Sequence, residues 1–371
     1  MLADMDLEKI KLVVKELPLL FTSLPLGHFL KQCQLSEKND VININISLGF
    51  YLSMEQKADL IAQWVDQLNR QFLQENKLIK FEFIINCNVA SHKNQLKKAS
   101  HQKIKNIILI ASGKGGVGKS TVTANLALSL QAQGAKVGIL DADIYGPSQP
   151  QIMGNYNAPE MLAERKFKPL NSHGISMISI GNLVNLDAAM IWRGPMVSQA
   201  LRQLLNDTQW SDLDYLLVDL PPGTGDIQLT IAKDVPVAGG LIVTTPQDLS
   251  LLDANRAIEM FRKVGISVVG IIENMTTFIC PNCAYETPIF GHDGGMRLSM
   301  STEVPLLGKI PLALEIRNDT DNGKPTVIEK PNSKISQCYQ AIALASAAYL
   351  SLKEINHNRN MPEVKVELSK E

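Results

Sequence analysis

Apolar positions along the chain change their spacing several times, and each spacing predicts an element. From Asn106 onward, short runs of continuous apolar residues alternate with longer segments in which apolar residues recur at helical spacing. The predicted strands are Asn106–Ala111, Lys136–Asp141, Tyr215–Asp219, Gly240–Thr244, Val268–Glu273 and Leu306–Ile310, and the clearest predicted helices are Thr121–Gln133, Leu249–Val264 and Ser336–Leu352. Strands that are apolar on both faces and separated by helices predict an α/β fold with a mostly parallel sheet covered by helices on both faces.

The first 90 residues show a different pattern, which predicts a small N-terminal α+β module. Val41–Leu48 alternates apolar and polar residues, as a half-buried strand does. Met54–Gln74 has helical spacing, and Leu78–Asn86 is again of strand type. The three segments together predict a βαβ-like unit within residues 1–90.

A polar stretch separates the two regions. Residues 91–105 (SHKNQLKKASHQKIK) are polar and basic, which predicts a solvated linker rather than a contact with an acidic partner. We therefore expect an N-terminal module over 1–90, a linker over 91–105 and the main domain over 106–355. Residues 356–371 mix both charges, which predicts a loose tail.

Composition narrows the class of protein. A net charge of −1 over 371 residues gives no basic surface for nucleic acid. Met1–Lys9 is polar and acidic, unlike a signal peptide, and no apolar run approaches the roughly 18–20 residues of a membrane span. Five cysteines, an odd number, argue against a disulfide framework. We expect a cytoplasmic protein with neither a membrane nor a nucleic acid as partner.

The segment GKGGVGKS, residues 113–120, fits the phosphate-binding pattern G-x-x-x-x-G-K-[ST]. A predicted strand precedes it and a predicted helix follows it, so backbone N–H groups and the positive end of a helix dipole meet at one point. This context favours a nucleoside triphosphate site over a glycine-rich turn that binds no ligand. Lys119 is expected at the β- and γ-phosphates, and the Ser120 hydroxyl at Mg²⁺. The residues expected around the nucleotide are Gly113, Lys114, Gly115, Gly116, Val117, Gly118, Lys119, Ser120 and Thr121.

A second lysine directly after the first glycine makes this loop unusual. With Lys114 in place, K-G-G-V-G-K-S resembles the deviant P-loop family, which includes the nitrogenase iron protein, the MinD and ParA positioning ATPases and the Mrp/ApbC iron–sulfur carriers. The resemblance implies that Lys114 reaches across a dimer interface to the partner's nucleotide. The alternative from the residue alone is a solvated lysine in an exposed loop.

Acidic residues follow two predicted strands of the main domain. Asp219 ends a buried strand, the usual Walker B position for holding Mg²⁺, and precedes a glycine-containing loop. Asp141 and Asp143 end the strand after the P-loop helix. The resemblance implies that Asp143 orients the attacking water and Asp141 supports the metal shell; both are otherwise turn formers before Gly146-Pro147. It also implies that Asn274 recognises the adenine of ATP, and that Lys114, Lys119 and Asp143 are catalytic.

Cys280 and Cys283 form a C-x-x-C pair, which suits zinc, an iron–sulfur cluster or a redox dithiol. The other three cysteines form no second pair, and His292 is the nearby alternative ligand, so one chain lacks a set of four. A twofold homodimer places the pair beside its copy and supplies four thiolates at one interface. Spacing alone leaves zinc, cluster and dithiol open.

The chain resembles the Mrp/ApbC-type carriers over nearly all of residues 105–350. The stretches that carry this resemblance are SGKGGVGKST, LDADIYGPSQP, IWRGPM, LLVDLPPGTGDIQLT, VTTPQDLSLLDANRAIEMF, GIIENMTTFICPNC and IFGHDGG. It implies ATP hydrolysis at the P-loop, a labile [4Fe–4S] cluster at the paired cysteines, and transfer to apo-proteins alongside cluster assembly scaffolds. The N-terminal module resembles the small domain of bacterial members but has Ser47-Leu48-Gly49 where that pattern places a cysteine after the first strand.

Two other functions fit part of the sequence. A MinD- or ParA-like positioning ATPase requires a membrane-binding amphipathic helix or a basic DNA-binding face, and neither the last residues (MPEVKVELSKE) nor the net charge provides one. The third possibility is a zinc-knuckled dimer that binds nucleotide as a regulatory ligand. We expect an ATP-hydrolysing iron–sulfur carrier that shares its cluster across a homodimer.

Overall fold

The computed structural model describes residues 7–38, 41–72, 79–96, 101–183 and 194–357. Within these residues the strands are β1 (Leu30–Lys38), β2 (Val41–Leu48), β3 (Lys80–Cys87), β4 (Ile104–Ala111), β5 (Val137–Asp141), β6 (Leu170–Ser172), β7 (Ile175–Ser179), β8 (Leu213–Asp219), β9 (Val237–Thr244), β10 (Val268–Ile279), β11 (Glu286–Thr287) and β12 (Leu306–Leu312).

The helices pack against these strands and connect them. They are α1 (Leu7–Lys15), α2 (Met54–Gln71), α3 (Lys119–Ala132), α4 (Gln149–Ile152), α5 (Gly194–Asp207), α6 (Asp226–Asp234), α7 (Asp248–Lys263), α8 (Gly294–Thr302), α9 (Leu314–Asp321), α10 (Thr326–Glu329) and α11 (Lys334–Ser351), with short 3₁₀ turns at Leu26–His28, Ala163–Arg165 and Ile180–Asn182. No helix in the described part of the chain is both long and apolar enough to cross a bilayer.

A nine-stranded sheet forms the centre of the main domain, in the order β11-β10-β9-β4-β8-β5-β7-β6, with β12 also paired to β10. The pairs from β10 to β7 are parallel, as is β10 with β12, whereas β11 and β6 pair antiparallel at the two ends. Along β4, Ile108 and Ile110 pack into one buried core and Ile107 and Leu109 into another on the opposite face. Burial on both faces explains the continuous apolar strands, and the predicted α/β fold class is confirmed.

The N-terminal module has its own three-stranded sheet, in the order β1-β2-β3. The predicted βαβ unit is present, because β2 and β3 are parallel and α2 connects them. A capping box between Ser53 and Gln56 starts this helix. The sequence analysis missed α1 and the antiparallel strand β1, whose residues are mostly exposed and carry no clear alternation.

The module rests directly on α11 of the main domain. The rings of Phe29 and Tyr349 meet edge to face with centroids 6.1 Å apart, and Lys31 Nζ donates to the Ser351 carbonyl. Their buried residues belong to one continuous apolar core. Because packing joins the N-terminal module to the main domain, the boundary near residue 90 stays a prediction about which parts of the chain fold as units.

The sequence predicts a solvated linker over 91–105, and the described part of that segment is only partly of this kind. Lys93, Gln102 and Lys103 are exposed, whereas His92 is 3% exposed with its ring bonded to the Asn106 side chain. The Gln95 carboxamide donates to the carbonyls of Ala232 and Val235, and β4 already begins at Ile104. The pattern does not reveal these contacts because a polar side chain can satisfy buried polar groups as well as face water. Most of the expected tail, residues 358–371, lies outside the described residues.

Candidate nucleotide and cysteine site

The P-loop connects the end of β4 to the first turn of α3 at the carboxyl edge of the sheet. Gly118, immediately before the helix, has φ +81°, and its Cα faces the Asn274 carboxamide so closely that a Cβ would overlap with Nδ2. Gly113 is likewise pressed against the backbone of Asp253. Gly116 has φ +80° and open space around it, so the loop presents bare backbone on that side. This concave, side-chain-free surface fits a phosphate chain.

Lys119 and Asp219 form a buried ion pair below the loop. Their side chains are 6% and 0% exposed, and Lys119 Nζ also donates to Ser120 Oγ at 3.3 Å. Two further donors reach the Asp219 carboxylate: Gln149 Nε2 at 2.9 Å and Thr123 Oγ1 at 3.3 Å. Lys119, the expected phosphate ligand, and Ser120 and Asp219, the expected magnesium ligands, are therefore in one hydrogen-bonded network, in which Lys119 pairs with Asp219.

Asp141 and Asp143 lie on the neighbouring loop and differ in what they contact. Both oxygens of the buried Asp141 accept hydrogen bonds, from the Asp143, Ser148 and Gln149 backbone N–H groups and the Ser179 hydroxyl. Burial and the nearby Asp219 charge raise the pKa of Asp141. With its acceptor sites occupied this way, Asp141 holds the loop that carries Asp143 and Gln149.

Asp143 is half-buried, and its Oδ1 accepts from Gly146 N at 3.3 Å. Burial raises the pKa of Asp143, and the Lys119 charge partly opposes that shift. The two aspartates that follow β5 therefore differ: Asp141 is fully buried and bonded through both oxygens, whereas Asp143 is half-buried and lies within range of the Lys119 charge.

Lys114, the second lysine of the loop, lies half-buried at the outer side of the site. Its Nζ donates to Gln247 Oε1 at 3.0 Å, the residue just before α7. Within the described residues no carboxylate pairs with it. The neutral carboxamide of Gln247 holds Lys114 near the surface. Exchanging this hydrogen bond for one to another acceptor has a small enthalpic cost.

A cavity of about 230 Å³ lies beside Gly118 and Thr121, at the end of the P-loop. Asn274 and Met275 form one wall, and Pro311, Leu312 and Ala313 contribute to the other. The Asn274 carboxamide is already engaged: Nδ2 donates to the Val117 carbonyl at 2.8 Å and Oδ1 accepts from Met275 N at 3.0 Å. An apolar slot of this kind next to a phosphate loop fits a nucleoside base, and Asn274 shapes it by bracing the loop.

Strand β10 continues from Asn274 to the cysteine pair. Met275 has φ +57°, and the pairing of β10 with β12 is irregular between Asn274 and Phe278. Cys280 N donates to the Tyr285 carbonyl at 3.0 Å and Ala284 N to the Cys280 carbonyl at 2.9 Å, which closes a hairpin between β10 and β11. Backbone N–H groups of Asn282 and Cys283 lower the pKa of Cys280. Cys283 is exposed, so the hairpin presents thiols at the surface.

Glu273 anchors the far side of this hairpin and was not expected from the sequence. Its buried carboxylate accepts from Gly295 N at 2.7 Å, in the first turn of α8, and Lys309 Nζ lies 3.8 Å away. The same lysine pairs with Asp293 at 3.1 Å. Glu273 therefore ties β10, which leads into the hairpin, to α8, the helix that follows the hairpin in the chain.

Three further results concern residues that the sequence analysis named or missed. Among the described residues no group of three or more histidine, cysteine, aspartate or glutamate side chains is arranged to hold a metal, so His292 does not complete the cysteine pair. Trp192 and Arg193 of the WRGP stretch lie outside the described residues. Gln149, at the start of α4, and Gln247, just before α7, were missed because a glutamine at a helix start has no characteristic sequence spacing.

Comparison with known proteins gives consistent results. The ParA family model, described as NUBPL iron-transfer P-loop NTPase, matches residues 103–346. An iron-sulfur cluster carrier protein of Pseudomonas fragi is 54% identical over 264 residues, 71% of this chain and 92% of that protein. The mouse iron-sulfur cluster transfer protein NUBPL is 45% identical over 249 residues, 67% of this chain and 78% of that protein.

A solved structure agrees with the fold. The nucleotide-binding protein of Archaeoglobus fulgidus, in complex with ADP and containing cobalt, superposes with a TM-score of 0.55 at 38% identity. The match covers 62% of this chain and 90% of that one.

Proposed function

The chain belongs to the ParA family of NUBPL-type iron-transfer P-loop NTPases, and from that premise we propose that it carries an iron–sulfur cluster as cargo and delivers it to apo-proteins under the control of ATP. The observation that carries the proposal is the path of β10. This single strand contacts the P-loop through Asn274 and ends at Ile279, directly before Cys280, with Cys283 in the hairpin that follows. One element thus connects the P-loop to a half-buried and an exposed thiol.

The nucleotide site suits Mg²⁺–ATP because Lys119, its positive group, can exchange the Asp219 carboxylate for a phosphate. Lys119 forms an ion pair with Asp219. We propose that the β- and γ-phosphates take over Lys119, which frees Asp219 to hold Mg²⁺ together with the Ser120 hydroxyl. The metal would supply charge neutralisation at the phosphates. Gln149, already bonded to Asp219 and to the Ser120 carbonyl, would keep these two ligands in register.

Hydrolysis of ATP is the finer part of this proposal. Asp143 is the carboxylate available to orient the attacking water, because Asp141 is occupied by the loop it supports. Phosphoryl transfer depends mostly on positioning and charge stabilisation, so a lysine, a metal site and one water-orienting carboxylate suffice.

Cluster binding requires a second copy of the chain. Two cysteines provide half of the four thiolates that a [4Fe–4S] cluster usually takes, and no third ligand joins them among the described side chains. We propose a twofold homodimer in which both hairpins face each other and Lys114 leaves Gln247 for the partner's nucleotide. Binding at both sites would then be linked, since each changes the same interface.

The recipients and donors follow from the cargo. Apo iron–sulfur proteins and cluster assembly scaffolds are the proposed partners, and neither nucleic acid nor membrane is. The cytoplasm remains the expected compartment, on the argument from cysteine usage given above.

Anaerobic reconstitution with iron and sulfide tests the cargo. We expect one [4Fe–4S] cluster per dimer in the wild-type protein, measured by visible absorbance and by iron, sulfide and zinc analysis. The Cys280→Ala/Cys283→Ala variant should lose it, whereas the matched Cys33→Ala/Cys87→Ala variant, which also removes two cysteines, should keep it. Stoichiometric zinc, or equal cluster content in both variants, would refute the proposal.

Transfer assays test the nucleotide link. The rate at which the cluster is released to an apo-ferredoxin should differ between ATP and ADP. With ATP present, the Asp143→Asn variant should keep the rate of the ATP-bound protein, because its hydrolysis is blocked. Equal transfer rates with ATP, with ADP and without nucleotide would contradict the coupling while leaving cluster binding intact.

A further inference from the structure

A polar cleft of about 370 Å³ lies where the N-terminal module meets the nucleotide-binding domain. The first turns of α2 form one wall, and the carboxyl end of α3 and the start of α11 form the other. It is remote in sequence from every residue assigned above, although α3 is the helix that begins at Lys119. The cleft is therefore a separate feature that touches the nucleotide helix at its opposite end.

The cleft is electronegative. Glu55 and Asp59 lie four residues apart on α2, on one face of the helix, and the described residues offer neither an ion-pair partner. The negative carboxyl end of α3, at Ala132, meets the positive amino ends of α2 and α11 at this cleft, so its net negative charge comes from the two carboxylates. No lysine or arginine lines the cleft.

Its inner wall offers hydrogen-bond acceptors. Ser129 Oγ is buried, with the residue 1% exposed, and has no hydrogen-bond partner. Gln133 Nε2 donates to the Gln340 carbonyl and Gln340 Nε2 to the Pro331 carbonyl, each at 3.2 Å, which leaves both amide oxygens available. A buried hydroxyl without a partner costs free energy, which a donor placed in the cleft would recover.

We propose that this cleft binds the guanidinium group of an arginine side chain from a partner protein. Guanidinium offers five N–H donors in a planar fork and no acceptor, which matches two carboxylates and several oxygen acceptors spread around one cavity better than a compact ammonium does. A protein partner is favoured over a free polyamine because Met54, which precedes Glu55 in the chain, is 82% exposed. Exposed methionine is typical of protein contact surfaces.

The location gives such a contact a consequence. Since α2 belongs to the module and α3 starts at the P-loop, an arginine bound between them would tie a partner to both parts at once. Docking of a partner would then stabilise the seating of the module on the nucleotide-binding domain. This inference is independent of the cysteine pair and of cluster transfer.

The test uses the full-length protein and the peptide acetyl-Gly-Arg-Gly-amide, with its neutral citrulline analogue as the ligand control, followed by ligand-observed NMR. We expect the arginine peptide to bind at millimolar concentration and the citrulline peptide not to. The Glu55→Gln/Asp59→Asn variant should bind the peptide at least tenfold more weakly, a difference of about 1.4 kcal/mol.

A matched variant excludes a general effect of charge. Asp66→Asn/Glu82→Gln removes two exposed carboxylates of the same module outside the cleft and should bind like the wild type. All proteins are compared by thermal unfolding to show that they are folded. Absence of arginine-peptide binding, equal binding of citrulline, equal loss in the two variants, or binding of spermidine without binding of the peptide would each overturn the proposal.

Discussion

The buried pair of Lys119 and Asp219 predicts a separable structural and functional role for the P-loop lysine. We consider Lys119→Met, which removes the charge and keeps most of the aliphatic stem. The Asp219 carboxylate, 0% exposed, would lose its cation. Removing one partner of a buried ion pair generally costs about 3–5 kcal/mol, because the other charge stays buried and uncompensated.

The structure places this variant at the lower end of that range. Gln149 Nε2 and Thr123 Oγ1 still donate to Asp219, at 2.9 and 3.3 Å, and partly solvate the anion. We expect a loss of about 3 kcal/mol, which is roughly a hundredfold in the folding equilibrium. Adding Asp219→Asn should recover more than half of this loss, since no unpaired charge remains.

The assay is urea unfolding of nucleotide-free protein in EDTA, with ATP binding measured in parallel. Neither variant should bind ATP with wild-type affinity, so the double variant would be restored in stability and still deficient in function. If Lys119→Met were as stable as the wild type, or the double variant no more stable than the single one, the ion pair would have no structural role and the reasoning would fail.

Three further predictions address neighbouring features. Gly118→Ala should reduce ATP affinity at least tenfold in a fluorescent-nucleotide titration, because φ +81° disfavours any Cβ and the loop must shift; wild-type affinity would contradict this. Gln149→Leu removes a donor to a buried carboxylate and should cost about 1.5–3 kcal/mol in urea unfolding, whereas Gln151→Leu, whose two hydrogen bonds are solvent-exposed, should cost less. Burial lowers the pKa of His92, so below about pH 6.5 the unfolded chain binds the proton that the native state resists. Stability should fall there, and His92→Gln should flatten the dependence in melting curves from pH 5 to 8; an unchanged slope would exclude His92 as the cause.

Local signals in the sequence predict much of the main domain. Continuous apolar runs require burial on both faces, and strands such as β4 and β8 are found close to where the pattern places them. The P-loop and the position of Asp219 also follow from local order, because a glycine-rich turn between a strand and a helix has few alternative geometries. The antiparallel strand β1 was not predicted, because its mostly exposed residues show no clear alternation of apolar and polar side chains.

The candidate site shows where local signals end. Sequence alone placed Lys119, Ser120 and Asp219 near a nucleotide and joined Cys280 with Cys283, since each inference needs only neighbours along the chain or the order of parallel strands. Side-chain partners 30 or more residues apart are not encoded in any local spacing. Gln149 bonded to Asp219 and Lys114 bonded to Gln247 are such partners.

The same limit applies to Asp141 and to the junction between the two parts of the chain. Asp141 and Asp143 look alike in sequence, and only folding shows that Ser179 and three backbone N–H groups donate to the first of them. The segment after residue 90 is polar, yet His92 packs against the Asn106 side chain and Gln95 bonds buried backbone groups. Sequence by itself determined the main strands and helices of the P-loop domain and indicated a kind of chemistry. Tertiary structure decided which polar groups pair, because pairing depends on distances that only the packed sheet and helices set.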